Sequence, residues 1–234
     1  MSRRRDRRGK GEHEVIPQRA EELTAAWFTE VLATGATVTE VRCEEIGIGV
    51  GFMGEVHRCH LTWENVPGAG DAAVLPPSVI VKTPTQIPEN FAAGDALRSY
   101  EREIVVYQTL RSSLGVPMPG YYHGAMDPDP APWMQRPLFF LFDHLSIRGI
   151  NWVIGQFLKL SGKSKRRYIL VIEDIADARP PTQMLGGSLD DAHRSLEVLA
   201  RFHAANWMRS DATDHYRHIF PVDTVPRVGQ ASYV

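Results

Sequence analysis

The segment Ile46-Gly-Ile-Gly-Val-Gly-Phe-Met-Gly-Glu-Val56 carries glycines at 47, 49, 51 and 54, and Gly49, Gly51 and Gly54 fit the pattern G-x-G-x-x-G. Glycine lets backbone amides close on a phosphate, because a Cβ would block the approach and positive φ is often required there. Without a ligand, the same residues would make a bulged hairpin turn. A second reactive group is Lys82, which closes the apolar run Val79-Ile-Val-Lys82. A lysine ending such a strand must find an anionic partner or snorkel to water. The third is Glu103. On a helix expected from about Asp95 to Ser112, an apolar stripe is formed by Leu97, Tyr100, Ile104, Tyr107 and Leu110. Glu103 falls within that stripe and Glu101 toward the other flank. An acid on a core-facing stripe calls for a cation, and Lys82 is the candidate; at the stripe's edge Glu103 would reach solvent instead. Taken in order, Gly-rich loop, strand lysine and helix glutamate are the parts that hold the phosphates of a nucleotide.

The elements that must position these groups follow from periodicity. Leu23, Trp27, Phe28, Val31 and Leu32 recur at helical spacing and predict an amphipathic helix over Arg19–Leu32. β-Branched residues from Thr37 to Ile48 and the alternation of Glu55-Val-His-Arg-Cys-His-Leu-Thr62 predict two antiparallel strands joined by the glycines. A dinucleotide-binding turn would instead open a helix. Residues 64–77 are a Pro, Gly and Ala loop, and Ser78–Thr83 is a short buried strand. Gly120–Ala125 and Tyr168–Glu173 form the next strand pair, with a long segment between them. Ser188, with an acid three positions on, caps a final helix whose Leu189, Ala192, Leu196, Leu199 and His203 share a face. The order of elements predicts an α+β fold.

The chain has 234 residues, and 26 Lys and Arg against 28 Asp and Glu leave a formal net charge of −2. Nothing global favours a nucleic-acid partner. Hydrophobic residues make up 43% and charged ones 23%, as in ordinary globular domains. The basic start, residues 1–16, lacks the apolar run of a secretory signal and is expected to be disordered. No stretch reaches the ~18 apolar residues of a membrane span. Two cysteines exclude a disulfide scaffold and a four-Cys zinc site, so a cytoplasmic setting is expected, with Cys43 and Cys59 as reduced core thiols. Strand alternation sends His57 and Cys59 to one face and His60 to the other, which argues against a metal site there.

These motifs together resemble the aminoglycoside phosphotransferase and choline-kinase-like superfamily, and most of all its ecdysteroid-kinase-like branch. The resemblance rests on Gly51-Phe-Met-Gly-Glu-Val56, Pro76-Pro-Ser-Val-Ile-Val-Lys82, Tyr100-Glu-Arg-Glu103, Leu170-Val-Ile-Glu-Asp174 and Leu199-Ala-Arg-Phe-His-Ala204, and it runs from about Pro17 to Trp207. It implies a protein-kinase-like N-lobe over residues 17–175, with an insertion at 127–167, followed at 176–234 by an incomplete start of a helical C-lobe. It implies ATP as the nucleotide, with Gly49, Gly51, Phe52, Met53 and Gly54 covering the phosphates and Lys82 and Glu103 forming the ion pair that positions them. Glu173 and Ile175 would be the hinge residues whose backbone meets adenine; otherwise Glu173 and Asp174 form a strand-end turn with solvated carboxylates. The family transfers the γ-phosphoryl group of ATP to a hydroxyl of a small molecule and uses Mg²⁺.

The family's His-Gly-Asp-x-x-x-x-Asn loop is not found: His123-Gly124 is followed by Ala125, and Asp143-His144 with Asn151 has the wrong order and spacing. The chain is therefore expected to stop before the catalytic loop and the Mg²⁺ ligands, and to have little or no kinase activity alone. The alternative is a non-catalytic, pseudokinase-like interaction module. The acceptor is not specified by the sequence. Within the insertion, the apolar run Pro137–Leu160 followed by Ser161-Gly-Lys-Ser-Lys-Arg-Arg167 could touch an anionic membrane surface or act as a lid, or be a buried strand and helix. Asp127-Pro-Asp-Pro130 is a rigid turn.

Overall fold

The computed structural model describes residues 15–47, 53–65, 75–96, 98–129, 144–161, 165–178 and 186–208. The Gly-loop residues Gly49, Gly51 and Phe52, most of the basic start, residues 130–143 of the insertion and everything beyond 208 lie outside them. The fold is α+β, with five α-helices among the described residues and a five-stranded antiparallel sheet. Its strands are β1 (Thr37–Ile46), β2 (Gly54–Glu64), β3 (Ser78–Pro84), β4 (Tyr121–Met126) and β5 (Tyr168–Glu173), ordered β1-β2-β3-β5-β4. β3 is thus central, between the hairpin that carries the glycines and the strand that leads to Asp174.

Period-two alternation divides β3 between two faces. Val79, Val81 and Thr83 are buried on one side, under α1 (Ala25–Leu32), where Trp27 and Phe28 pack with Cys59, Leu61, Ile169 and Val171. Helix α1 is shorter than the periodicity predicts because Thr24 caps it, accepting a hydrogen bond from the Trp27 amide at 3.2 Å, and residues Ala20–Glu22 form a separate 3₁₀ turn. Ile80 and Lys82 face the other way, toward a second apolar cluster of Ile104, Tyr168, Leu170 and Ile172.

The helix expected over 95–112 is two helices, α2 (Pro88–Ala96) and α3 (Ser99–Val105), continued by a π-type turn at Val106–Leu110. The break comes at Arg98, whose φ of 54° is left-handed and whose amide closes on Asp95 O at 2.9 Å. A charged network repays that strained residue. Arg98 donates to Glu101 at 3.0 and 2.8 Å and to Asp129 at 2.8 Å. Arg166 adds a 3.4 Å contact to Glu101 and lies 5.0 Å over the ring of Tyr168, whose hydroxyl donates to Asp95 at 2.5 Å. Glu101 is buried, with only 8% of its side chain exposed, among partners separate from the Lys82 that meets Glu103. Arg167 grips Asp127 through three bonds of 2.9 Å, which clamps the two ends of the insertion together.

Between β4 and β5, α4 (Ile147–Ser161) packs on α2 and buries Ile150 completely. The final helix, α5 (Leu189–Asn206), starts at the expected Ser188, which shares a capping box with Asp191. Its leucines at 189, 196 and 199 are exposed, and it meets the rest of the described fold through Asn206, which donates to Leu114 O at 3.1 Å.

Cys43 and Cys59 are disulfide-bonded, which corrects the expectation of reduced thiols. The sequence places them on neighbouring strands, and the β1–β2 register sets them directly opposite each other, within bonding reach. Among the described residues, no helix is long and apolar enough to cross a membrane.

Candidate functional site

Lys82 and Glu103, 21 residues apart, form an ion pair in which the ammonium donates to Glu103 Oε1. β3 supplies the lysine and α3 the glutamate, because the face of β3 that escapes α1 is the one α3 covers. Both side chains keep about a third of their surface open, at 34% and 39%. An ammonium has three donors, and Glu103 is its one partner among the described residues, so two donors remain for a ligand. Beside Glu103 a cavity of about 560 Å³ opens against α3, lined by Ser99, Arg102, Val106, Tyr107 and Met118.

The root of the glycine turn is tied to the same place. Val56 sits directly opposite Lys82 across the β2–β3 ladder, and Gly54 opposite Pro84. A Cβ on Gly54 would lie 3.0 Å from the Thr83 carbonyl oxygen, a tight contact with backbone that glycine avoids. The Met53 carbonyl accepts hydrogen bonds from the Thr85 amide at 3.2 Å and from the Tyr100 hydroxyl of α3. Burial pushes the Tyr100 hydroxyl up to about 12, so it stays a neutral donor at ordinary pH. In sequence terms Tyr100 is one more residue of an apolar stripe. Its role as the link between loop and helix had no local signal.

At the other end of β3 stands the expected hinge. Glu173 pairs with Val79, three positions along β3 from Lys82, or roughly 10 Å. The Glu173 carboxylate accepts from the Gly120 amide at 2.7 Å, and the Glu173 amide donates to Gly120 O at 2.8 Å. Ile175 is half exposed, and its carbonyl accepts from the Ala178 amide at 2.9 Å. Asp174 is not solvated: its side chain is 3% exposed and accepts from Ser78 Oγ at 2.6 Å, Arg58 Nε at 2.8 Å and Arg58 Nη2 at 3.2 Å. Burial alone would raise its pKa, but the bonds from Ser78 and Arg58 outweigh it and hold the carboxyl below the usual carboxylate range. Sequence reasoning missed this second ion pair. Alternation does put Arg58 on the Val56 and Lys82 face, but Asp174 lies beyond the last paired residue of β5, where periodicity has nothing to say.

Among the described residues, no group of three or more His, Cys, Asp or Glu is arranged to hold a metal ion. The described residues therefore offer no ligand set for Mg²⁺. No family model, no curated protein and no solved structure matches the chain.

Proposed function

We propose that this chain is the ATP-binding portion of a small-molecule phosphotransferase, built as a protein-kinase-like N-lobe with the start of a helical C-lobe. The observation that carries the reading is the Lys82–Glu103 pair: a strand lysine fixed by a helix acid, a third exposed, beside the root of a glycine-rich turn. In this reading Glu103 holds the Lys82 ammonium in one position, and its two spare donors meet phosphate oxygens. The backbone of Gly49, Gly51, Phe52, Met53 and Gly54 covers the phosphates, and the segment around Glu173 and Ile175 receives the base. The Asp174 carboxylate ties that segment to β2 and β3 through Arg58 and Ser78. In the transfer itself, the bond from the γ-phosphorus to the bridging oxygen of ADP breaks, and one to the acceptor oxygen forms. The acceptor's proton needs a base, and the reading assigns none of the described residues to that role, so binding with negligible turnover is expected.

Thermal unfolding with and without ATP tests the reading. At ATP concentrations about 100-fold above Kd, the wild-type chain gains ~2.7 kcal/mol of apparent stability, and Lys82→Ala gains none. Absence of any nucleotide effect on the wild-type chain overturns it. That result would favour the second reading, a non-catalytic interaction module, for which the exposed leucines of α5 at 189, 196 and 199 are the supporting observation.

A further inference from the structure

The four glycines at 47, 49, 51 and 54 lie inside a covalent loop, since the Cys43–Cys59 bond joins the two strands that carry them. Three ladder pairs separate that bond from the turn: Glu44 with Arg58, Glu45 with His57 and Ile46 with Val56. Along β1 the core stops at the bond. Val38 is buried and Val41 packs on the core cluster, whereas Glu44 and Glu45 are exposed and Ile46 is only half-buried. β1 is also an edge strand, with β2 its one neighbour in the sheet. The charged contacts beyond the bond, Glu44 to Arg58 at 3.8 Å and to His60 at 3.5 Å, join partly exposed groups and hold little. The disulfide is therefore the last firm tie between the two strands before the glycine turn.

Its two sulfurs differ in access. Cys59 is fully buried, in the core cluster with Trp27, Phe28 and Val79. Cys43 is half-buried and lines a recess of about 660 Å³ between the 3₁₀ turn and the β1–β2 hairpin. Exchange at a disulfide depends on which sulfur an incoming thiolate can reach, and here that sulfur belongs to Cys43.

We propose that Cys43–Cys59 is a thiol–disulfide exchange site, at which a dithiol reductant releases the glycine-bearing end of the β1–β2 hairpin. A thiolate of the reductant attacks Cys43 Sγ, the bond between the two Sγ atoms breaks, and Cys59 leaves as a thiolate that takes up a proton. The second thiol of the reductant loses its proton and attacks the reductant's own sulfur in the mixed disulfide, which frees Cys43 as a thiol. The two cysteines together gain two electrons and two protons, and the reductant is oxidised to its disulfide. With the bond gone, only the half-buried Ile46 anchors residues 44–46, and that end of the hairpin opens locally. One consequence rests on the nucleotide reading: a turn whose ends are free binds phosphate more weakly, because it must be ordered on binding. Linkage makes the effect reciprocal, so ATP protects the bond from reduction by the same factor.

The test compares the full chain in its oxidised form and after treatment with dithiothreitol. Alkylation with peptide mass mapping is expected to find no free thiol before treatment and two after it, and limiting 2-mercaptoethanol, quenched in acid, to be captured on Cys43. Amides of residues 44–46 exchange hydrogen about tenfold faster in the reduced chain, a larger change than in β5, whereas a disulfide that only stabilised the whole fold would speed both alike. The Kd for ATP rises about tenfold on reduction. Cys43→Ala, on the edge strand, reproduces the reduced chain and no longer responds to dithiothreitol. The proposal fails if the two thiols stay free under a mild oxidant, if Cys59 is the residue captured, or if residues 44–46 gain no more exchange on reduction than β5 does. An oxidised chain that binds no ATP defeats the nucleotide reading alone, and the capture and exchange results still decide the site.

Discussion

Two regions of this molecule set acids against bases, and they do so in opposite ways. Around Glu101, each charge is consumed: Arg98 divides its donors between Glu101 and Asp129, Arg166 reaches Glu101 and the Asp127 carbonyl, and the side chains of Arg98, Arg166 and Glu101 are about nine-tenths buried. At Lys82, a single acid meets an ammonium that is one-third open. Burial makes the first arrangement rigid and costly to break, since every group removed leaves another uncompensated. Exposure makes the second worth little to folding and leaves it free to bind. Charge pairs that close on themselves position the helix. The pair that stays open is the one proposed to meet a nucleotide.

Three substitutions sharpen or break that contrast. The largest effect is expected for Glu101→Gln, which strands Arg98 and Arg166 and should lower the free energy of unfolding by about 3–5 kcal/mol, read from denaturant titration at constant m. A loss below 1 kcal/mol would dissolve the distinction between the two regions.

Asp174→Asn stands between the extremes. Its charge-assisted bonds to Arg58 and Ser78 are worth about 1.5–3 kcal/mol at neutral pH. The folded-state pKa of Asp174 lies below the ordinary 3.8, so this stability is present above 3.8 and lost as pH falls from there toward the folded value. Stability curves between pH 6 and 2 should therefore be shallower for Asp174→Asn than for the wild type. A residual slope belongs to Asp127, which its hydrogen bonds to Arg167 hold low in the same way.

The smallest effect on folding is expected at the open pair. Lys82→Ala should change stability by no more than ~1 kcal/mol while removing the stabilisation by ATP. A large folding defect at Lys82 would make it one more structural cation.

The strands were legible as elements, with their ends displaced by a residue or two in all but β5. β5 spans Tyr168–Glu173 as its run of apolar residues foretold, and Ser188 caps α5 as its spacing with Asp191 implied. The candidate site was legible in half. Lys82 and Glu103 could be matched because each is a charge on an otherwise apolar surface, a conflict that a sequence displays. Tyr100, Arg58 and Asp174 carry no such conflict, since a tyrosine in an apolar stripe, an arginine in a half-buried strand and an aspartate after a strand are all at ease locally. The helix break at Arg98 was hidden for a related reason: the left-handed residue is an arginine, where a glycine would have marked it.

By itself, then, the sequence determined roughly where the strands run, which faces alternate along them, and that one lysine and one glutamate were candidates for each other, because period and polarity are local properties of the chain. The tertiary structure alone decided register and depth. It set Cys43 opposite Cys59, where facing thiols become a disulfide, and it sank Glu101 among arginines. It also buried His57, whose Nε2 lies 3.6 Å from Glu55 Oε2 and makes no hydrogen bond. The bonding of a side chain depends on what the fold brings within about 3 Å of it, a distance that only the packed chain sets.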